Sequence, residues 1–191
     1  MKLPARLCLL ALSLSATPAA WAQQPRLPFP LRGAPAAEPT PAERAYTAGE
    51  TLLRQGDYPG ARARFDEARR LDPRDARAAF YLGEWEFQQG RYAEALPRFA
   101  EALRLDPTLA EAHAQRGAAL RALGRVPEAL TALQEALRLR PTLGEAYTLV
   151  GLCHEDQHDT AAAVAAYRQA TTCLRDDPSP AILLATVLVA G

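Results

Sequence analysis

One string in this chain has the spacing of a metal site. His154-Glu155-Asp156-Gln157-His158 matches H-E-x-x-H. In that arrangement two histidines, four apart on one face of a continuous helix, hold zinc while the glutamate activates a metal-bound water and a third ligand arrives from elsewhere. The reaction would be metal-assisted hydrolysis. The surrounding sequence argues against it, because His158 sits at the phase that Gly56, Gly90 and Gly124 occupy earlier in the chain, a phase that ends helices. His158 is therefore expected at or beyond a helix end, off the face that His154 uses. The remaining histidine, His113, falls near the start of a different helix. No G-x-S-x-G elbow and no phosphate-cradling glycine loop occurs, and the carboxylates are accounted for by caps, turns and solvated faces. The expectation is a protein without catalysis, metal or cofactor, with a zinc-dependent hydrolase kept as a remote alternative.

The elements that position these residues follow from a period. Gly49, Gly83, Gly117 and Gly151 stand 83 − 49 = 34 residues apart, and the same step links Ala61, Ala95, Ala129 and Ala163, then Ala68, Ala102, Ala136 and Ala170. Small residues at fixed phases of such a period describe stacked helical hairpins. Repeats are read at 42–75, 76–109, 110–143 and 144–177, each with two antiparallel amphipathic helices. Thr40-Pro-Ala-Glu43, Thr108-Leu-Ala-Glu111 and Thr142-Leu-Gly-Glu145 read as capping boxes that start helices near 41, 109 and 143. Asp75 takes that role in the second repeat. Gly56, Gly90 and Gly124 are placed for the left-handed turn inside each hairpin, and Pro73, Pro107 and Pro141 follow the second helices. Phe65, Phe99, Leu133 and Tyr167 fill the space that the small residues leave. In the fourth repeat the proline comes late, at Pro178, since 178 − 141 = 37, which predicts nearly one extra helical turn.

With these phases in place the chain resembles a tetratricopeptide repeat protein. The family pattern of an aromatic or apolar residue, Leu-Gly, Tyr, Ala, Phe, Ala and Pro falls in repeat two on Ala79, Leu82-Gly83, Glu86, Ala95, Phe99, Ala102 and Pro107. Glu86 departs from the usual Tyr, with Trp85 and Phe87 beside it, and Arg116 replaces the usual Leu before Gly117. The resemblance implies an all-α, right-handed superhelical solenoid of four helix-turn-helix repeats plus a C-terminal helix. It also implies a concave groove lined by the first helix of each repeat. By phase that nominates Tyr46, Glu50, Leu53, Arg77, Phe80, Tyr81, Glu84, Phe87, Gln115, Ala118, Arg121, Thr148, Leu152 and Glu155, with an aromatic first half suited to a protein segment. Some family members grip chaperone C-terminal carboxylates with Lys, Asn and Arg. The matching phases here carry Tyr46, Glu50, Tyr81, Glu111 and Gln115, and none fits.

Residues 1–22 read as an export signal: Lys2 and Arg6, an apolar run over Leu7 to Leu14, and Ala20-Trp21-Ala22 before the expected cleavage. The run is shorter than the roughly 20 residues that span a bilayer, so a retained anchor is the weaker alternative. A lipidated Cys8 would need that residue at the cleavage point. A periplasmic or secreted protein is expected. Residues 23–41 form a proline-rich spacer with little power to fold. Cleavage leaves 20 basic against 22 acidic groups, net −2, a balance without the basic face that nucleic acid requires; a small-molecule substrate is not expected either. Cys153 and Cys173 read as free thiols, too far apart along antiparallel helices to pair. Residues 178–191 form a final helix that is apolar on nearly every side, either wrapped deeply into the array or exposed for self-association. The leading expectation is an exported adaptor that binds another protein, in envelope assembly or maturation of another exported protein. The alternative is a self-assembling solenoid built through residues 181–190.

Overall fold

The structure, a computed structural model, describes residues 38–190. The expected export signal, Cys8 and the spacer as far as residue 37 lie outside the described residues. Within them the chain forms nine helices and no strand: α1 (Pro41–Arg54), α2 (Tyr58–Leu71), α3 (Ala76–Gln88), α4 (Tyr92–Leu105), α5 (Ala110–Ala122), α6 (Val126–Leu139), α7 (Gly144–Asp156), α8 (Thr160–Cys173) and α9 (Ser179–Ala190). The helices α1–α8 pack as four hairpins. Each second helix then packs on the first helix of the following hairpin, and α9 closes the stack on α8. First helices also touch across repeats, α3 with α5 and α5 with α7. The result is the all-α, right-handed superhelical solenoid expected.

Each hairpin is locked by one glycine and one large side chain. A Cβ at Gly49, Gly83, Gly117 or Gly151 would lie 2.8, 2.7, 2.7 or 2.4 Å from an atom of Phe65, Phe99, Leu133 or Tyr167 respectively. The large groups lie directly against the bare helix backbone and are sealed, from 0% to 2% exposed. Burying one of these side chains contributes roughly 1.5–3 kcal/mol, so the lock repeats a sizeable term four times. Alanines 61, 95, 129 and 163 are likewise almost fully buried, where anything larger would push the helices apart.

The turn inside each hairpin repeats to the hydrogen bond. Asp57, Arg91, Arg125 and Asp159 donate their amides to the carbonyls of Leu52, Glu86, Leu120 and His154 at 2.9–3.0 Å. The residue just before each donor takes a positive φ: 80° at Gly56, 74° at Gly90, 75° at Gly124 and 60° at His158. This pattern satisfies helix-end carbonyls that would otherwise lack partners.

Helix starts depart from expectation in two repeats. The capping box at Thr40 and Glu43 forms in both directions, at 2.7 and 3.1 Å, and Asp75 accepts from the Arg77 amide. Thr108 and Thr142 do not cap: the cap residues are Leu109 and Leu143, without a side-chain bond, and the helices start at 110 and 144. Leu109 and Leu143 are buried, whereas Pro41 at the same phase is exposed. Burying the leucine moves the chain's entry one residue on, and the Thr108 amide and hydroxyl both donate to Asp106 instead.

The extra turn expected in the fourth repeat is also absent. Helix α8 ends at Cys173, and 173 − 139 = 34 as in the other repeats, while α9 starts only one residue late, since 179 − 144 = 35. A longer loop absorbs the displaced proline, and the Asp177 carboxylate accepts the Ser179 amide at the start of α9.

Candidate protein-binding face

The string His154-Glu155-Asp156-Gln157-His158 does not lie on one helix. Helix α7 stops at Asp156, and His158 occupies the left-handed turn position with its amide donated to the Glu155 carbonyl at 2.9 Å. The two histidines therefore flank a helix end instead of sharing a face, so the geometry of the zinc motif is not built. Glu155 accepts the Tyr167 hydroxyl at 2.5 Å; burial, then this hydrogen bond, holds the phenol well above its ordinary range. No group of three His, Cys, Asp or Glu side chains converges among the described residues. Cys153 is buried and free, its thiol pushed up to about 11 chiefly by burial, and Cys173 is free and half-buried.

The first helices α1, α3, α5 and α7 carry every residue nominated for the groove, but many of those side chains turn inward. Tyr46, Phe80 and Tyr81 are 4%, 4% and 8% exposed. Tyr81 stacks on Phe65 at 4.6 Å, and Tyr46 and Phe80 pack edge-on and tilted around them. Phe87 meets Tyr92 across its own hairpin at 5.0 Å. The open aromatic half-groove is thus corrected to an interior aromatic cluster joining repeats one and two. A first helix in a stack is covered by its hairpin partner and by the previous repeat, and apolar periodicity does not say which cover a given ring meets. Leu53 and Leu152 are half-buried against the core, Ala118 is buried, and Thr148 bonds back to the Gly144 carbonyl.

What the inner face displays is charge. Arg77 forks onto Asp75 at 2.6–3.1 Å and lies 4.3 Å over the Tyr46 ring. Arg121 grips Asp156 of the next repeat through two bonds, and Glu111 pairs with Arg140. Glu50 is buried beside Arg54 at 3.8 Å. Glu84 is half-buried, but its Oε1 is sealed from solvent without a hydrogen-bond partner. Burial first, and then the charge of Glu145, pushes its carboxyl up to about 8. Gln115 is half-buried. Periodicity located these polar positions but gave no sign of which would lack a partner; pairings such as Arg121 with Asp156 depend on how one repeat sits on the next.

A stack of interlocked helical hairpins with a continuous run of first helices defines a repeat scaffold. Three family profiles, each described as tetratricopeptide repeat, match residues 46–110, 86–153 and 144–172, and the chain belongs to that family. Its fold is similar to that of MamA from Desulfovibrio magneticus RS-1 (residues 41 to the end), with 22% identity over 78% of this chain and 84% of that one, at a TM-score of 0.67. The fold of PilF from Pseudomonas aeruginosa is similar too, with 23% identity, 78% and 68% covered and a TM-score of 0.70. So is a chain of the Cut9–Hcn1 hetero-tetramer of the APC/C, with 19% identity, 77% and 30% covered and a TM-score of 0.72. No curated protein matches the sequence.

Proposed function

We propose that this protein is a non-enzymatic adaptor that holds a segment of another protein along the inner face formed by α1, α3, α5 and α7. The observation that carries the reading is the direct contact of first helices across repeats, α3 with α5 and α5 with α7, which makes one continuous surface out of several repeats. Each repeat adds a few side chains at regular spacing, an arrangement suited to an extended or helical segment. Export by the N-terminal signal, a periplasmic or secreted location, and work in envelope assembly or maturation of another exported protein complete the proposal. Proximity capture in the native host tests it, comparing the wild type with a Gln115→Ala/Arg121→Ala variant of unchanged helicity. Loss of a specific captured protein from the variant supports the inner face as the binding surface; identical capture by both removes it. Mass measurement of the mature protein tests export, with Gln23 expected as the first residue.

A second reading, self-assembly through α9, has its own observation. Ile182, Leu188 and Val189 are 59%, 56% and 89% exposed and make up three of the five exposed large apolar side chains among the described residues. Pro180 and Val187 are buried and hold the helix to the array. Among the described residues no helix is long and apolar enough to cross a membrane. Light scattering on an Ile182→Glu/Leu188→Glu chain decides the matter. A mass that drops to that of one chain supports assembly through α9, and an unchanged mass discards it.

A further inference from the structure

Helix α9 stands where the first helix of a fifth hairpin would. Its inward positions, Pro180, Leu183, Leu184 and Val187, follow Ala146, Leu149, Val150 and Cys153, the inward positions of α7, by the usual step, since 180 − 146 = 34. Val187 joins Ala163 and Tyr167 of α8 in one apolar cluster, with Leu183 and Leu184 packed against it. The same step identifies the opposite side of the helix. Helix α7 receives its own second helix at Gly151, under the Tyr167 ring, and at Glu155, which accepts the Tyr167 hydroxyl. The corresponding residues of α9 are Ala185 and Val189, flanked by Ile182 and Leu188, and all four are exposed. Helices α3, α5 and α7 each pack on the second helix before them and on their own, whereas α9 packs on α8 and has no second helix of its own among the described residues.

The open side is built as a helix seat, small in the middle and bulky at both ends. It holds no charge, since α9 contains no Asp, Glu, Lys or Arg, and the Thr186 hydroxyl is returned to the Ile182 carbonyl at 2.9 Å. A helix laid there strips water from no unpaired side chain, and a second α9, equally uncharged, brings no like charges together. The spacing is also self-complementary: Ile182 and Leu188 stand three residues either side of Ala185, and Ala181 and Val189 four. Two copies of α9 lying antiparallel, with Ala185 on a two-fold axis, set Ile182 of each against Leu188 of the other and Ala181 against Val189, while the central alanines let the backbones approach. Antiparallel is also the sense in which each short-turned hairpin of the chain seats its second helix. We infer, resting on self-assembly through α9, that the open side of this helix docks the α9 of a second copy of the chain, antiparallel and centred on Ala185.

The test is cysteine cross-linking in a Cys8→Ser/Cys173→Ser chain, in which Cys153 stays buried, with light scattering on the same samples. A disulfide needs its two Cα atoms within about 7 Å. Residue 185 lies on the axis, while the two copies of residue 182 are offset by about 9 Å along the helices. Expected are an Ala185→Cys chain that oxidises to a covalent dimer, and an Ile182→Cys chain that links to Leu188→Cys at least about tenfold faster than to itself. The substituted positions are exposed, so the fold is expected to survive, and unchanged helicity checks it. A multimeric mass without the Ala185→Cys cross-link, or Ile182→Cys linking best to itself as parallel helices would, overturns the inference and leaves self-assembly standing. A single-chain mass without cross-links overturns both and leaves the seat to a helix of another protein.

Discussion

Replacing His158 by glycine should make this protein more stable, although His158 belongs to the one string in the chain that has the spacing of a metal site. Its φ is 60°, in the left-handed region that Gly56, Gly90 and Gly124 occupy in the other three hairpins. The other three turn positions have nothing within 4 Å of where a Cβ would be, so the effect is one of backbone conformation alone. A residue with a Cβ pays about 1–2 kcal/mol for this conformation, and glycine returns roughly 0.5–1 kcal/mol of that through its freer unfolded chain. The net gain is about 0.5–1 kcal/mol. With a urea dependence of about 1–3 kcal/mol per molar, the unfolding midpoint should rise by roughly 0.2–1 M. The assay is urea unfolding followed by far-UV circular dichroism, supported by hydrogen exchange at the Asp159 amide, which closes this turn onto His154. The reverse change, Gly124→His, should lower the midpoint by a similar amount. A lower midpoint for His158→Gly would refute the reasoning, because the imidazole would then be contributing an interaction worth more than the strain.

Three further outcomes are expected. Gly83→Ala places a Cβ 2.7 Å from Cε1 of Phe99, a ring with 0% exposure and no room to yield, so thermal or urea unfolding should register a loss of about 1–3 kcal/mol. Glu84 is raised in the folded chain to about 8 from an ordinary 4.5. The unfolded chain therefore releases its proton first, and native stability falls as pH rises from about 4.5 toward 8. Glu84→Gln lacks that loss, so across this window its stability relative to the wild type should grow by more than about 1 kcal/mol, read from urea midpoints at several pH values. In a Cys8→Ser chain, a thiol reagent should label the half-buried Cys173 under native conditions and the buried Cys153 only on unfolding; fast labelling of Cys153 would mean that α7 opens locally.

How much was legible beforehand divides along a physical line. The 34-residue step, the hairpin turns, the glycine seats under Phe65, Phe99, Leu133 and Tyr167, and the failure of His154 and His158 to share a face were all readable. Each depends on chain-local chemistry repeated at one period, and the repetition separates signal from accident. The capping boxes expected at Thr108 and Thr142 do not form because Leu109 and Leu143 are drawn into the core, which no local capping rule contains. The late Pro178 adds no helical turn because it falls in the loop between α8 and α9.

By itself the sequence determined the class of scaffold, the pairing of helices and the absence of a continuous helix under the zinc-like string. Only the tertiary structure decided which faces remain open. It buried Tyr46, Phe80 and Tyr81 between repeats, left Ile182, Leu188 and Val189 outside, and sealed the Glu84 Oε1 without a hydrogen-bond partner. The reason is that a stacked helix has more than one covered side. Periodicity reports that a side chain avoids water, while the neighbour that shields it, and the polar atom left without a partner, depend on how successive repeats are rotated onto one another.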